Sequence, residues 1–275
     1  MKVKQELITK LRKMENVKRT IKTVVLAVVL GGVLAGCVTT VTGPYTNKAS
    51  EDKAVQQYVQ LGLAYYQQGD LDSALQKLQR ALEIKPDNAE AQAALGLVYQ
   101  RQKEPLLAEK QFKSALRSDP GFTRGRTYYA AYLYDQGRYK EAAEQLDKAS
   151  EDVNYESRAQ VFSNIGLIRL RLGETEQAIK AYEKSLTLKR GQPNVVLALA
   201  SLYFGKGELS KANRMYAVHW ETVRRGGASH TPASLALGIK IAREKKDLNE
   251  EASLMLLLKN MFPNSAEYKT MKGSS

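Results

Sequence analysis

The sequence is poorest in the residues that most often carry chemistry: its 275 residues include one cysteine, two histidines and one tryptophan. A single thiol excludes an intramolecular disulfide and any metal site assembled from several cysteines. The two histidines, His219 and His230, belong to no His-Glu metal motif, and neither a Gly-rich phosphate loop nor a nucleophile elbow accompanies them. Glu and Asp are scattered over presumed solvent faces. No enzyme is expected from this inventory, and no metal or cofactor.

Long apolar runs are also scarce. The one uncharged run, Thr23 to Ala35, reads TVVLAVVLGGVLA and follows Lys18, Arg19 and Lys22. As a helix it would rise only ~20 Å at ~1.5 Å per residue, short of a hydrocarbon core of ~30 Å. It reads as the apolar region of a signal peptide rather than a membrane span. The run ends at Leu34-Ala35-Gly36-Cys37, a lipobox in which small residues admit the peptidase and the cysteine thiol carries diacylglycerol. Residues 1–36 are therefore expected to leave as a lipoprotein signal peptide, with Cys37 lipidated and the covalent lipid as anchor; two or more acyl chains hold stably where one does not. Val38 follows the cysteine, whereas lipoproteins kept in the inner membrane resemble a Cys-Asp pattern. The periplasmic face of the outer membrane is the expected address. Met14 offers an alternative start that shortens the basic leader to a common length.

Net charge is +13, which resembles a nucleic-acid signal until it is divided along the chain. Residues 1–36 hold eight Lys and Arg against two Glu, and from Cys37 onward 34 basic residues face 27 acidic ones. That mild excess is spread over many segments, so nucleic acid is not an expected partner. Residues 37–54 comprise the lipidated cysteine and a stretch rich in Thr, Ser, Gly and charge without a sustained apolar period, expected to be a flexible tether.

What the chain has in abundance is a repeat. From residue 55 it repeats at a period of 34, the spacing of the tetratricopeptide helix-turn-helix. The first unit, 55–88, carries Leu61, Gly62, Tyr65, Ala74, Leu78, Ala81 and Pro86, and the second, 89–122, places Leu95, Gly96, Tyr99, Ala108, Phe112, Ala115 and Pro120 at the same offsets. The third, 123–156, keeps Tyr129, Ala130, Leu133, Ala142, Leu146 and Ala149. Two extra residues precede the fourth, 159–192, and the fifth, 193–226, follows in register. A degraded sixth, 231–264, retains Leu237, Gly238, Ile241, Ala252 and Leu256 with one residue added in the turn, leaving 265–275 as a C-terminal tail. The fold class is all-α, a right-handed solenoid of about six such hairpins. Gly or Ala at the eighth position of the first helix is expected to meet Ala at the twentieth, on the second. His219 falls on a small-residue position near the end of a second helix and reads as a packing residue.

First helices of stacked hairpins line a concave surface, their inward positions being the second, fifth, ninth, twelfth and thirteenth of each repeat. Those offsets yield the groove candidates Gln56, Val59, Tyr66, Ala93, Gln100, Arg101, Arg124, Thr127, Tyr134, Ser163, Arg171, Asn194 and Phe204. Apolar anchors among them suit an extended or helical peptide, and the arginines suit its carboxylates.

Several segments lie outside the generic repeat pattern: Glu104-Pro105 in a turn, Tyr155-Glu156-Ser157-Arg158 before a helix, and the terminal Pro263-Asn264-Ser265-Ala266-Glu267-Tyr268. Together with GCV at the lipidation site, YVQLGLAYYQQGD, QPNVVLALASLY and SLALGIKIA, they resemble the type IV pilus biogenesis lipoproteins, the secretin pilotins called PilF or PilW. The resemblance covers the whole mature chain. It implies a monomeric outer-membrane lipoprotein that binds the secretin subunit of the type IV pilus and promotes its localisation and ring assembly. Without it, the residues fit equally a general periplasmic repeat scaffold serving another envelope assembly machine.

Overall fold

The computed structural model describes residues 48–273, which form thirteen α-helices and no strand. They alternate as first (A) and second (B) helices of six hairpins. These are α1 (Lys48–Gln68) with α2 (Leu71–Ile84), α3 (Ala89–Arg101) with α4 (Pro105–Ser118), and α5 (Thr123–Asp135) with α6 (Tyr139–Ser150). They continue as α7 (Arg158–Arg171) with α8 (Thr175–Leu188), α9 (Pro193–Gly205) with α10 (Leu209–Arg224), and α11 (Pro232–Glu244) with α12 (Leu248–Met261), before α13 (Ala266–Gly273). The all-α tetratricopeptide solenoid is the observed architecture. Cys37, the signal segment and the first part of the expected tether lie outside the described residues.

Short polar residues start several of these helices. Asp70 accepts a hydrogen bond from the Ser73 amide at 3.0 Å and Asn88 from the Ala91 amide at 2.7 Å, each satisfying a donor that the first turn leaves open. Pro105, Pro193 and Pro232 occupy first-turn positions, where their missing N–H costs nothing. Four hairpins turn at a glycine in the left-handed region, as at Gly69 (φ 85°), whereas the second and sixth place Lys103 (φ 62°) and Lys246 (φ 57°) there. A lysine at such a φ carries a steric cost that glycine avoids.

Inside each hairpin the close approach differs in partner from the expectation. A Cβ at Gly62 would lie 2.6 Å from Leu78, at Gly96 2.7 Å from Phe112 and at Gly166 2.6 Å from Tyr182. The glycine thus receives the large side chain of the twenty-fourth position, while the twentieth-position alanines Ala74, Ala108 and Ala178 are fully buried. Absence of a Cβ on one helix makes room for a ring or isobutyl group from the other, and the alanine keeps the backbones close.

Three boundaries depart from the sequence reading. Helix α1 begins at Lys48, inside the expected 37–54 tether, because KASEDKA has no helix breaker, places Glu51 in the first turn and ties Asp52 to Lys85 at 3.0 Å. The expected tail 265–275 contains α13. Its start is capped by Ser265, whose Oγ accepts from the Tyr268 amide at 3.1 Å, and Met271 is buried with Leu254 and Leu258. In the sixth hairpin Ala252 and Leu256 are exposed, while Leu254 and Leu258 are buried. Gly238 there does not serve its own hairpin: a Cβ on it would lie 2.1 Å from the Tyr216 hydroxyl of the fifth repeat. Ile239, fully buried, packs against Leu254 and Leu258 instead. The turn residue Lys246 falls one place later in its repeat than Gly69 or Gly207 in theirs.

Candidate functional site: the concave face of the A helices

Of the thirteen groove candidates, three belong to the core. Val59 is 2% exposed, Ala93 0% and Ser163 5%. Each holds the fifth position of its repeat, and Val59 packs against Ala91, Ala94, Leu95 and Val98 of the next A helix. The fifth position therefore serves the contact between successive hairpins, which explains why it is small in α3 and α7 and removes it from the groove. Thr127, at the same offset in α5, stays half-buried and reaches the surface.

Four of the ten remaining candidates touch one another across repeat boundaries, and two more reach other residues of a neighbouring repeat. The Arg101 guanidinium lies 5.2 Å from the Tyr66 ring centre and donates to the Tyr66 carbonyl at 2.9 Å. Gln100 donates to Asp135 at 2.8 Å, and Arg124 pairs with Glu90 at 3.2 Å. Arg171 donates through Nε to the Tyr134 hydroxyl at 3.0 Å with its guanidinium 6.0 Å from that ring. This hydrogen bond raises the Arg171 pKa further and keeps the charge fixed. The result is a ladder of alternating rings and cations along the inner face. Gln56 and Asn194 stand exposed and apart from it, and Phe204 is half-buried against the fifth-repeat core.

Between α5 and α7 the ladder opens into a hollow of about 840 Å³. The 151–157 link, where two extra residues precede the fourth repeat, contributes Asn154, Tyr155 and Glu156 to its lining together with Arg124, Thr127 and Tyr128. Thr123 Oγ1 donates to Asp152 at 2.6 Å and pins the link to α5. Asn164 and Ala131 floor the hollow and lead to a smaller recess of about 120 Å³ lined by Tyr134, Leu146, Leu167 and Ile168. Burial raises the pKa of the Tyr128 phenol, opposed by the nearby Arg124 charge, so the group stays a neutral donor and acceptor at the edge. An open cavity with amide, hydroxyl and aliphatic lining is suited to a polypeptide segment, its backbone met by Asn164 and its side chains by the Leu167 recess.

Sequence reasoning placed Arg124, Thr127 and Tyr134 here but missed Tyr128, Tyr155, Asn164 and Leu167. The signals for two of them were present. Leu167 occupies the ninth, inward position, and the two-residue register shift marks the link that carries Tyr155. The histidines lie elsewhere: His219 is buried, and His230 packs on Trp220 with ring centres 4.8 Å apart. Among the described residues no group of three or more His, Cys, Asp or Glu is placed to hold a metal, and no helix is long and apolar enough to cross a membrane.

Hairpins at a 34-residue period, with small residues at the helix contacts and an aromatic and basic inner face, define a tetratricopeptide-repeat protein, a class built for protein–protein interaction. Residues 62–103 match the TPR repeat family and residues 123–191 the Tetratricopeptide repeat family. The chain is 40% identical over 237 residues to the type IV pilus assembly protein PilF of Pseudomonas aeruginosa, covering 86% of this chain and 92% of that protein. A solved structure of Pseudomonas aeruginosa PilF superposes with a TM-score of 0.75 at 38% identity, covering 82% of this chain and all of the other. PilW, a type IV pilus biogenesis factor, shares the fold with a TM-score of 0.66 at 24% identity, over 79% of this chain and 97% of its own. The chain belongs to the PilF/PilW family of type IV pilus biogenesis proteins.

Proposed function

We propose that this protein acts in type IV pilus biogenesis as an outer-membrane lipoprotein that binds the pilus secretin and promotes its localisation and multimerisation. The observation that carries the reading is 40% identity to a pilus assembly protein across 86% of the chain. The address would come from lipid on Cys37 and the grip from the concave face, with the hollow between α5 and α7 as the seat of a secretin segment. No residue in the hollow has the arrangement of a nucleophile and base, so the role is one of binding.

The test is membrane fractionation of a deletion strain, following the secretin as multimer and monomer. Loss of outer-membrane multimer supports the reading. Normal multimer with envelope defects would point instead to a scaffold for another assembly machine. Cys37→Ser separates address from grip: the variant should leave the outer-membrane fraction while retaining its fold, and an unchanged fractionation would refute lipid anchoring.

A further inference from the structure

The opposite side of the solenoid carries a second open surface, lined by the B helices α8 and α10 and floored by α9. There the structure forms a trough of about 630 Å³ over Leu186, Val196, Leu199, Met215 and Val218. Past Val218, which is 45% exposed, it runs on into a further open region of about 660 Å³ beside Ala217. Val196 and Leu199 lie buried beneath it, Leu186 and Met215 are half-buried and Val218 is exposed, and apolar surface open to solvent in a channel marks an interaction site.

The charges around it are unevenly satisfied. Glu183 accepts from the Tyr203 hydroxyl at 2.5 Å, and Glu221 is held by Arg224 at 2.7 Å and Arg225 at 2.5 Å. Glu221 is thus neutralised while Glu183 keeps its charge, and across the lining these two carboxylates face Arg190, Arg214 and Arg225. Arg190 and Arg214, exposed on the rim, have no acidic partner among the described residues, and neither do Lys184 and Lys189 beside the first of them. The net charge of the lining is therefore positive, over an apolar floor.

We propose that this trough is a second docking site, independent of the concave hollow, for an acidic polypeptide segment of a partner protein that inserts apolar side chains over Val218 and places carboxylates on Arg190 and Arg214. Shape selects the occupant: a channel between two helices receives individual side chains, whereas a bilayer surface needs apolar groups that protrude. The rim arginines supply steering and register, and the floor supplies affinity.

The test measures fluorescence anisotropy of the full chain with a set of short labelled peptides carrying two large apolar residues at helical or alternate spacing, flanked by aspartate. Matched peptides with lysine in place of aspartate serve as one control. Vesicles of phosphatidylglycerol and phosphatidylcholine serve as the other. Members of the acidic set are expected to bind with an affinity that falls as salt rises. The double variant Arg190→Glu with Arg214→Glu should weaken that binding by about tenfold or more, and Val218→Asp should do the same, while Arg124→Glu on the concave face leaves it unchanged. No binding by any acidic peptide, equal binding of the lysine set, or full binding by the double variant would each overturn the proposal. Vesicle binding that the double variant loses, without peptide binding, would assign the surface to anionic lipid and overturn it too.

Discussion

The buried tyrosines of the middle repeats and those at the junction of the fifth and sixth differ less in burial than in company. Tyr129 donates to Glu109 at 3.0 Å, Tyr132 to the Pro105 carbonyl at 2.9 Å and Tyr203 to Glu183 at 2.5 Å. Tyr216 is as deeply buried, yet its hydroxyl has no partner among the described residues, and the same holds for both ring nitrogens of His219 and for Nδ1 of His230. Apolar packing changes at the same place. Leu237 and Ile241 of α11 join the fifth-repeat core, whereas Leu235, Ala236 and Ile239 face α12 and α13. One helix thus serves two cores, and the polar groups between them are left unpaired at a cost of about 1–3 kcal/mol each. Stability in a repeat array is set locally by each hairpin and its neighbour. The difference teaches that the C-terminal hairpin is held less firmly by its neighbour than the middle hairpins are, and it is expected to open before them.

That contrast can be broken most forcefully from the middle. Phe112→Ala empties the space that Gly96 opens and is expected to cost about 3–5 kcal/mol, read as a lower urea midpoint. Gly96→Leu drives a side chain into Phe112 and should cost about 1–3 kcal/mol; an unchanged melting temperature would contradict the hairpin register. A paired substitution sharpens the comparison. Tyr203→Phe should destabilise by about 1 kcal/mol, because it strips Glu183 of a donor, whereas Tyr216→Phe should be neutral or stabilising by a similar amount. Equal losses from the two would show that the junction hydroxyl has a partner after all.

The smallest effect expected is one of pH. Burial lowers the pKa of His219, reinforced by His230, and lowers that of His230 as well. Both rings therefore resist a proton that the unfolded chain accepts near its ordinary pKa of about 6.5. Above that value they leave stability unaffected. As pH falls below it, the unfolded state binds more protons and stability declines until the depressed folded-state values are passed. Amide exchange in α11 to α13 should accelerate between neutral and mildly acidic pH while α5 to α8 hold. Glu109, in the second repeat, also loses its contribution in acid, but over a lower range of pH and because its charge is partnered rather than excluded. Burial raises its pKa, but donors from Lys113, Arg138 and Tyr129 outweigh this and leave it at about 2. Its contribution is complete above the ordinary carboxylate range and drains away only as pH falls from about 4.5 toward 2. A uniform acid response along the array would dissolve the distinction between middle and end.

Hairpin count, hairpin pairing and most of the core were legible because they follow from a 34-residue period, which records which face of each helix is buried; the thirteenth helix lies beyond the last repeat and was read as a tail. The eighth-position glycines were equally visible, but their partner was not. Phe112 and Tyr182 reach them from a turn further along the B helix, and that depends on helix crossing geometry that a one-dimensional register does not contain. The sixth hairpin was misread for a related reason: with the turn displaced to Lys246 the 34-residue period no longer locates the B-helix positions, and the assignment of Ala252 and Leu256 to the core gives way to Leu254 and Leu258. In the groove, offsets found Arg124, Thr127 and Tyr134. They could not show that the fifth position closes under its neighbour at Ala93 and Ser163, nor that the link at 151–157 lines a hollow with α5 and α7.

The ladder of rings and guanidinium groups along the inner face changes what that face can read. Arg101 and Arg171 are already engaged, one with the ring and carbonyl of Tyr66, the other with the ring and hydroxyl of Tyr134. A carboxylate arriving in the groove meets cations whose positions these contacts already fix, with guanidinium N–H groups still open to it at every such arginine. Discrimination among partners then falls to the side chains that can enter beside Ala131 and Leu167 and to the backbone hydrogen bonds at Asn164. On this inner face the fit of apolar residues is the message, and charge acts as the internal brace that keeps one repeat aligned with the next.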